Sequence, residues 1–398
     1  MKSKIEKSVR ICIDWIKHQM SSFDFAFWGI YERIRIDVNQ RVCCVRPDCN
    51  AEFLNVLELH ENLNGQNKEP YYTNIFSWLE SVQNTEQGKE GSFYFYFLDG
   101  AYKDEFSKLI YQNDNGKVLY NLAQIFERTK DAKILPIMTA LAQFWIDRQT
   151  EEGYFYDKSV ERMHPDCRGA CFVVWLMVGL YKLWAITQDE RYYVAANKAL
   201  RYCLDALVLE DRIRTSYEID KCEDWRPYSS EVAIMLLGVV EAFHYEKEET
   251  FKSKLQKISA FLGKTLLEMQ HKSGAILNQG SKTMEGLTLQ EGGGLADLVY
   301  TEGFALCALV RAYETLKEEK YLNAAKNLSN FLMEIQCKGE SPYWDGAWRG
   351  SYDVEKGCWA GRCNQNNQID EGGMYSVYTG WCCTNIMIGL LQLEKYCE

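Results

Sequence analysis

Apolar residues recur along this chain at helical spacing, and they do so in two alternating styles. In the first style nearly every position is apolar or small, over residues 50–62, 113–128, 167–187, 228–245, 300–317 and 378–396. In the second a single apolar stripe alternates with charged positions, over residues 70–84, 131–149, 190–207, 249–270 and 320–336. Short polar turns such as TQDER, EKEET and KEEKY join one helix of each style into a hairpin. The amphipathic helices also share a closing phrase, a hydrophobic residue and Gln followed by a loop of Gly and aromatics. It ends at Gln83, Gln149, Gln270 and Gln336, and the N-terminal helix, residues 4–20, carries it at Gln19.

Six apolar helices against five amphipathic ones leave one partner missing, and the N-terminal helix fills that place. The pattern predicts an all-α fold, a single domain over residues 1–398 with the six apolar helices inside and six amphipathic ones outside. That is an (α/α)6 toroid, with the helix at 4–20 closing the ring against the one at 378–396. Only 6 Pro and no Ser/Gly/Pro-rich linker interrupt the chain, so nothing marks a domain boundary. Because the helices alternate in direction, every long connection falls at one end: residues 20–49, 84–112, 150–166, 208–227, 271–299 and 337–377. The inner helices begin at that end and point their positive dipole ends into it, so function is expected there.

Composition narrows the partners. With 56 acidic and 45 basic residues the formal net charge is −11, and no basic cluster offers itself to nucleic acid. The N-terminal segment alternates Ile5, Val9, Ile13 and Ile16 with charges, which is an amphipathic helix and not a signal peptide. The longest apolar run stops short of the roughly 20 residues that a membrane span needs, so no membrane partner is expected. Fifteen cysteines, most of them inside apolar helical patterns, predict reduced thiols and a cytoplasmic location.

Chemistry concentrates between Pro342 and Asn385, PYWDGAWRGSYDVEKGCWAGRCNQNNQIDEGGMYSVYTGWCCTN. Flat rings beside acids and arginines suit a polyhydroxylated ligand, whose C–H face stacks and whose hydroxyl rim hydrogen-bonds. The expected binding residues are Trp344, Trp348, Arg349, Trp359 and Trp381, joined from other loops by Trp225, Tyr154 and His164. Cleaving a glycoside requires a proton donor and a second carboxylate, and a carboxyl against tryptophan would have its pKa raised toward a useful acid. Asp353 and Glu302 are the expected catalytic pair, with Asp345 in reserve. Each of these acids also reads as a solvated loop residue, a cap or an ion-pair partner.

The repeated hairpins, together with G-A-W-R-G-S-Y-D from Gly346 to Asp353 and Y-T-G-W from Tyr378 to Trp381, resemble the six-hairpin glycosidase superfamily of bacterial carbohydrate-processing proteins. The resemblance implies a glycoside hydrolase acting on an oligosaccharide substrate without a cofactor. Relatives carry an acid just before T-G-W, where this chain has Tyr378. Toroids that resemble N-acylglucosamine 2-epimerases use inner-helix histidines, whereas His60 and His244 fall at the far ends of inner helices and His18 and His271 at outer-helix termini. His164 alone is well placed, which leaves a lyase or epimerase, or a non-catalytic carbohydrate-binding toroid, as alternatives. The pair Cys382–Cys383 with Cys358 and Cys363 only partly resembles the thiolate site of toroidal β-arabinofuranosidases, and its spacing is awkward for a single zinc tetrahedron, so no metal is called for.

Overall fold

A computed structural model of the protein describes residues 1–21, 29–64, 70–98, 105–161, 167–210, 213–214, 228–277, 294–361 and 373–398. The chain divides into two compact units, one of Asp24–Ile30 and Cys44–Glu223, the other of Met1–Phe23, Tyr31–Cys43 and Asp224–Glu398. Each unit is built from three helical hairpins.

In the first unit, α2 (Pro47–Asn64), α4 (Gln112–Thr129) and α6 (Ala170–Thr187) lie side by side, and α3 (Pro70–Val82), α5 (Ile134–Ile146) and α7 (Glu190–Tyr202) each pack on the outside of their hairpin partner. The composition of each helix explains its layer. In α6 every residue from Ala170 to Leu183 is buried, whereas α7 buries only Tyr192, Ala195, Ala196, Ala199 and Leu200 along one stripe. The helix α6 is long and apolar enough to cross a membrane, yet 78% of it is buried inside the protein, as befits a core helix.

The second unit repeats the arrangement with α8 (Tyr228–Tyr245), α10 (Gly303–Leu316) and α12 (Thr384–Glu394) inside and α9 (Glu249–Glu268), α11 (Glu319–Ile335) and α1 (Lys2–Ser21) outside. The N-terminal helix does pack against the C-terminal one. The Met1 ammonium donates to the Glu398 carbonyl at 3.0 Å, and Ile5, Val9, Cys12, Ile13 and Ile16 are buried. The inner helices α4, α6 and α10 end alike, on Lys130, Gln188 and Lys317 in the left-handed conformation, each returning its N–H to a carbonyl of the last turn.

The Gln phrase has a physical reason that the pattern alone did not show. Each side-chain amide donates twice, once to a Gly carbonyl in its own loop and once to a carbonyl on the next outer helix. Gln83 bonds Gly91 and Ile137 on α5, and Gln149 bonds Gly153 and Ala195 on α7. Gln270 bonds Gly274 and Ala324 on α11, and Gln336 bonds Gly346 and Ser8 on α1. All four glycines have φ between +87° and +118°. A Cβ on any of them would press on the carbonyl of the neighbouring helix three residues past the acceptor: Ala140, Lys198, Asn327 or Ile11. The Gln19 side chain lies outside the described residues.

Two expectations change. The last inner helix starts at Thr384, because Ser376–Tyr378 is a strand and Thr379–Cys383 a wide turn in which Trp381 has φ +31°. The long connections also contain short strands that a purely helical pattern did not foresee, since their backbone groups need partners close to the body. In the first unit β2 (Gln40–Val45) pairs through Cys44 and Val45 with β3 (Phe97–Leu98); in the second β1 (Tyr31–Arg35) pairs with β7 (Ser376–Tyr378), and β4 (Leu295–Asp297) pairs with β5 (Ser351–Asp353), which pairs with β6 (Cys358–Trp359).

Replacing Gln270 with Ala removes both amide bonds and should cost about 1–3 kcal/mol. Gly274→Ala should cost more, because its Cβ would lie 2.3 Å from the Asn327 carbonyl oxygen at a backbone φ of +100°. Equilibrium urea unfolding checks both, and midpoints unchanged from the wild type would show that the contact does not hold the outer layer.

Candidate active site

The described chemistry of the second unit gathers where α10 and α12 begin. The chain enters α10 through β4 and a wide turn, Leu298–Glu302, and the first two acids of the site flank that turn. Asp297 caps it, with its carboxylate accepting from the N–H groups of Val299 and Tyr300 and from the Thr301 hydroxyl. The same Thr301 hydroxyl meets Ser229 of α8 at 3.0 Å. Glu302 is fully buried, and both its oxygens lie 3.1 Å from the Ile276 N–H. Burial raises both acids. It carries Asp297 up to about 7 against the opposing pull of its hydrogen bonds, and it raises Glu302 well above the carboxylate range, with Asp297 adding to the effect.

Asp353 behaves in the opposite way. It ends β5 and turns back on itself, accepting the Lys356 ammonium at 2.7 Å and the N–H groups of Glu355 and Lys356. The lysine holds it below the usual carboxylate range, which corrects the expectation of a carboxyl raised by tryptophan. Register then brings the two kinds of acid together. Asp297 stands opposite Ser351 and Asp353 opposite Leu295, and directly opposed residues of an antiparallel pair share a face. Asp297 and Asp353 are therefore diagonal neighbours on one face of the β4–β5 pair, a spacing of about 7–8 Å between residues.

The aromatic loop divides into core and rim. Trp348 is fully buried with its indole N–H on the Leu332 carbonyl at 2.7 Å, so it pins the loop to α11 and is no stacking platform, a second correction. Trp344 and Trp359 are half-buried, and the Arg349 guanidinium lies 5.8 Å from the centre of each ring while pairing with Glu340. Trp381 is buried against Tyr300 and Phe304, with ring centres 5.9 and 5.8 Å away. Asp345 closes its own loop by accepting from the N–H groups of Glu340 and Ser341, which is the structural role an acid takes at a turn. In the first unit Tyr154 packs on Tyr202 at 5.3 Å. His164 and Trp225 lie outside the described residues, as does Cys363.

Sequence reasoning missed Asp297, whose signal was present: an acid three residues before Tyr300 at the head of an inner helix. It also set His271 aside. That residue follows α9 at the loop end, with Nε2 3.1 Å from Glu355, and its Nδ1 accepts the Ser273 N–H. Cys382 and Cys383 are buried, each sulfur 3.9 Å from the Trp348 carbonyl, whereas Cys358 is exposed on β6.

No protein-family model matches the chain, and no curated protein matches it. Solved structures do. A sugar epimerase from a ruminal bacterium superposes with a TM-score of 0.75 at 11% identity, over 100% of this chain and 99% of the other. A GH76 α-mannanase from Bacteroides thetaiotaomicron gives 0.67 at 13% identity over 98% and 96%. An unsaturated glucuronyl hydrolase specific for heparin gives 0.65 at 12% identity over 100% and 98%. The chain therefore has the (α/α)6 toroid fold, and the solved structures that share it include both hydrolases and epimerases.

An Asp297 raised to about 7 when folded, from 3.8, makes stability depend on pH in a defined direction. The folded state holds this proton more tightly, so the stabilisation is full below pH ~4 and is lost as pH rises toward about 7, on the order of 4 kcal/mol. Asp297→Asn should abolish that component. Its melting temperature relative to the wild type should rise between pH 4 and 8 in a thermal-melt series, and a constant difference would show that the carboxyl is not held protonated.

Proposed function

We propose that the protein is a glycoside hydrolase acting on oligosaccharides by carboxylate acid/base catalysis. The observation that carries this reading is the pairing on one strand face of two carboxyls whose surroundings push their proton affinities apart. Asp297, protonated near neutrality, is the donor to the leaving oxygen. Asp353, ionised, is the base that activates water. A carboxylate that acts as a base on water, and not as a nucleophile, is the inverting arrangement. Glu302 lies deeper, fully buried, and holds the Ile276 N–H with both its oxygens. Trp344, Trp359 and Arg349 form the rim nearest the acids in sequence and supply stacking and hydrogen bonds to sugar.

The fold's epimerase relative favours a second reading, proton abstraction next to a carbonyl, for which His271 beside Glu355 is the described base. For the location we keep the cytoplasm, in accord with free thiols at every cysteine whose side chain is described.

Incubation with gluco- and manno-configured disaccharides should release reducing ends, with the first-formed anomer inverted by proton NMR. Asp297→Asn and Asp353→Asn should each lower turnover on the order of 100-fold or more while the protein stays folded. Deuterium incorporation at C2 of a reducing sugar in heavy water, without hydrolysis, would replace this reading by the epimerase one.

A further inference from the structure

The wide turn before α10 joins Asp297 to a pair of hydroxyls that the reading above does not use. Among the described residues the Asp297 carboxylate has three hydrogen-bond partners: the N–H groups of Val299 and Tyr300, at 3.3 and 3.1 Å, and the Thr301 hydroxyl, 3.4 Å from Oδ2. Thr301 Oγ1 in turn lies 3.0 Å from Oγ of Ser229, in the first turn of α8, and either oxygen of that pair can be the donor. Asp297, Thr301 and Ser229 are all buried.

The three partners of Asp297 differ in what they can return. A backbone N–H only donates, so it serves the carboxylate and offers nothing to the O–H of a protonated carboxyl. A hydroxyl both donates and accepts. When Asp297 is protonated, Thr301 Oγ1 is therefore the acceptor among these partners, and Thr301 turns its own hydrogen toward Ser229. Ionisation reverses both bonds, with Ser229 donating to Thr301 and Thr301 to the carboxylate. A buried carboxyl without such a partner would leave either its hydrogen or its charge poorly met, and both are costly. The other titratable groups on this turn and on the elements packed against it are Tyr300 and Glu302, Glu231 near Ser229, Cys382 and Cys383 of the Thr379–Cys383 turn, and Asp353 of β5, which Lys356 holds.

We propose that Thr301 and Ser229 are positioning residues for Asp297, a reversible hydroxyl pair that accepts the carboxyl's hydrogen before proton transfer and donates to the carboxylate afterwards. No proton travels along the pair: its hydrogens re-orient, while the proton that Asp297 loses goes to the leaving oxygen. The proposal rests on the reading of Asp297 as the acid, and it brings α8 into the site.

Thermal melts between pH 4 and 9 test the pair without a substrate, by following the pH-dependent component that Asp297→Asn removes. A hydrogen bond to a charged group is worth more than one to a neutral group, so loss of the Thr301 hydroxyl disfavours the ionised carboxylate. In Thr301→Val, which keeps the side chain's shape, Asp297 should hold its proton to higher pH. The stability that the wild type loses on approaching about pH 7 should then persist about one pH unit further. Thr301→Ser should restore the wild-type midpoint, and Ser229→Ala should shift it in the same direction by less. With a disaccharide that the wild type hydrolyses, the basic limb of kcat/KM should move with the thermal midpoint. A Thr301→Val protein destabilised equally at every pH, its midpoint unmoved, overturns the proposal. Should Thr301→Val fail to fold, an unmoved midpoint in Ser229→Ala does the same. A midpoint that moves as expected in a protein that hydrolyses no disaccharide keeps the hydroxyl pair and overturns the glycoside-hydrolase reading instead.

Discussion

The outer layer of this protein depends on one repeated contact, a glutamine amide at the end of one helix reaching a backbone carbonyl in the middle of the next. A helix end leaves its last carbonyls without partners, and the loop that follows must find partners of its own. The side-chain amide answers both needs by anchoring the loop's glycine and the neighbouring helix at one point. The glycine is required because its backbone is left-handed and because there is no room for a Cβ against the next helix. Four copies, two in each unit, tie successive outer helices together there.

Much of this was legible in the sequence. Two hydropathy styles gave the hairpins, and the arithmetic of six against five gave α1 its partner α12, because period and length are properties of local sequence. The Gln phrase was visible as a marker, but its partners lie on a different helix more than 40 residues away, which no local pattern shows. The strands were invisible for a related reason: β4 and β5 are three residues each, too short for a period-2 signal.

The site was less legible than the fold. Counting aromatics located the loop but could not sort Trp348, whose indole N–H finds Leu332, from Trp344 and Trp359 at the rim. Chemistry likewise turned on environment. Asp353 and Asp297 are the same residue type, yet a lysine three residues along depresses the first and burial elevates the second. Proximity in sequence could suggest the lysine contact; burial had to come from the fold.

The glutamine contact also bears on how mutational data for this fold would look. In a deep mutational scan, Gln83, Gln149, Gln270 and Gln336 and their glycines would tolerate as little change as a catalytic centre, and an intolerance map alone would mistake the scaffold for the chemistry. The two separate on a second axis: substitutions at the contact lower the amount of protein in the cell, whereas those at an acid leave abundance intact and remove turnover.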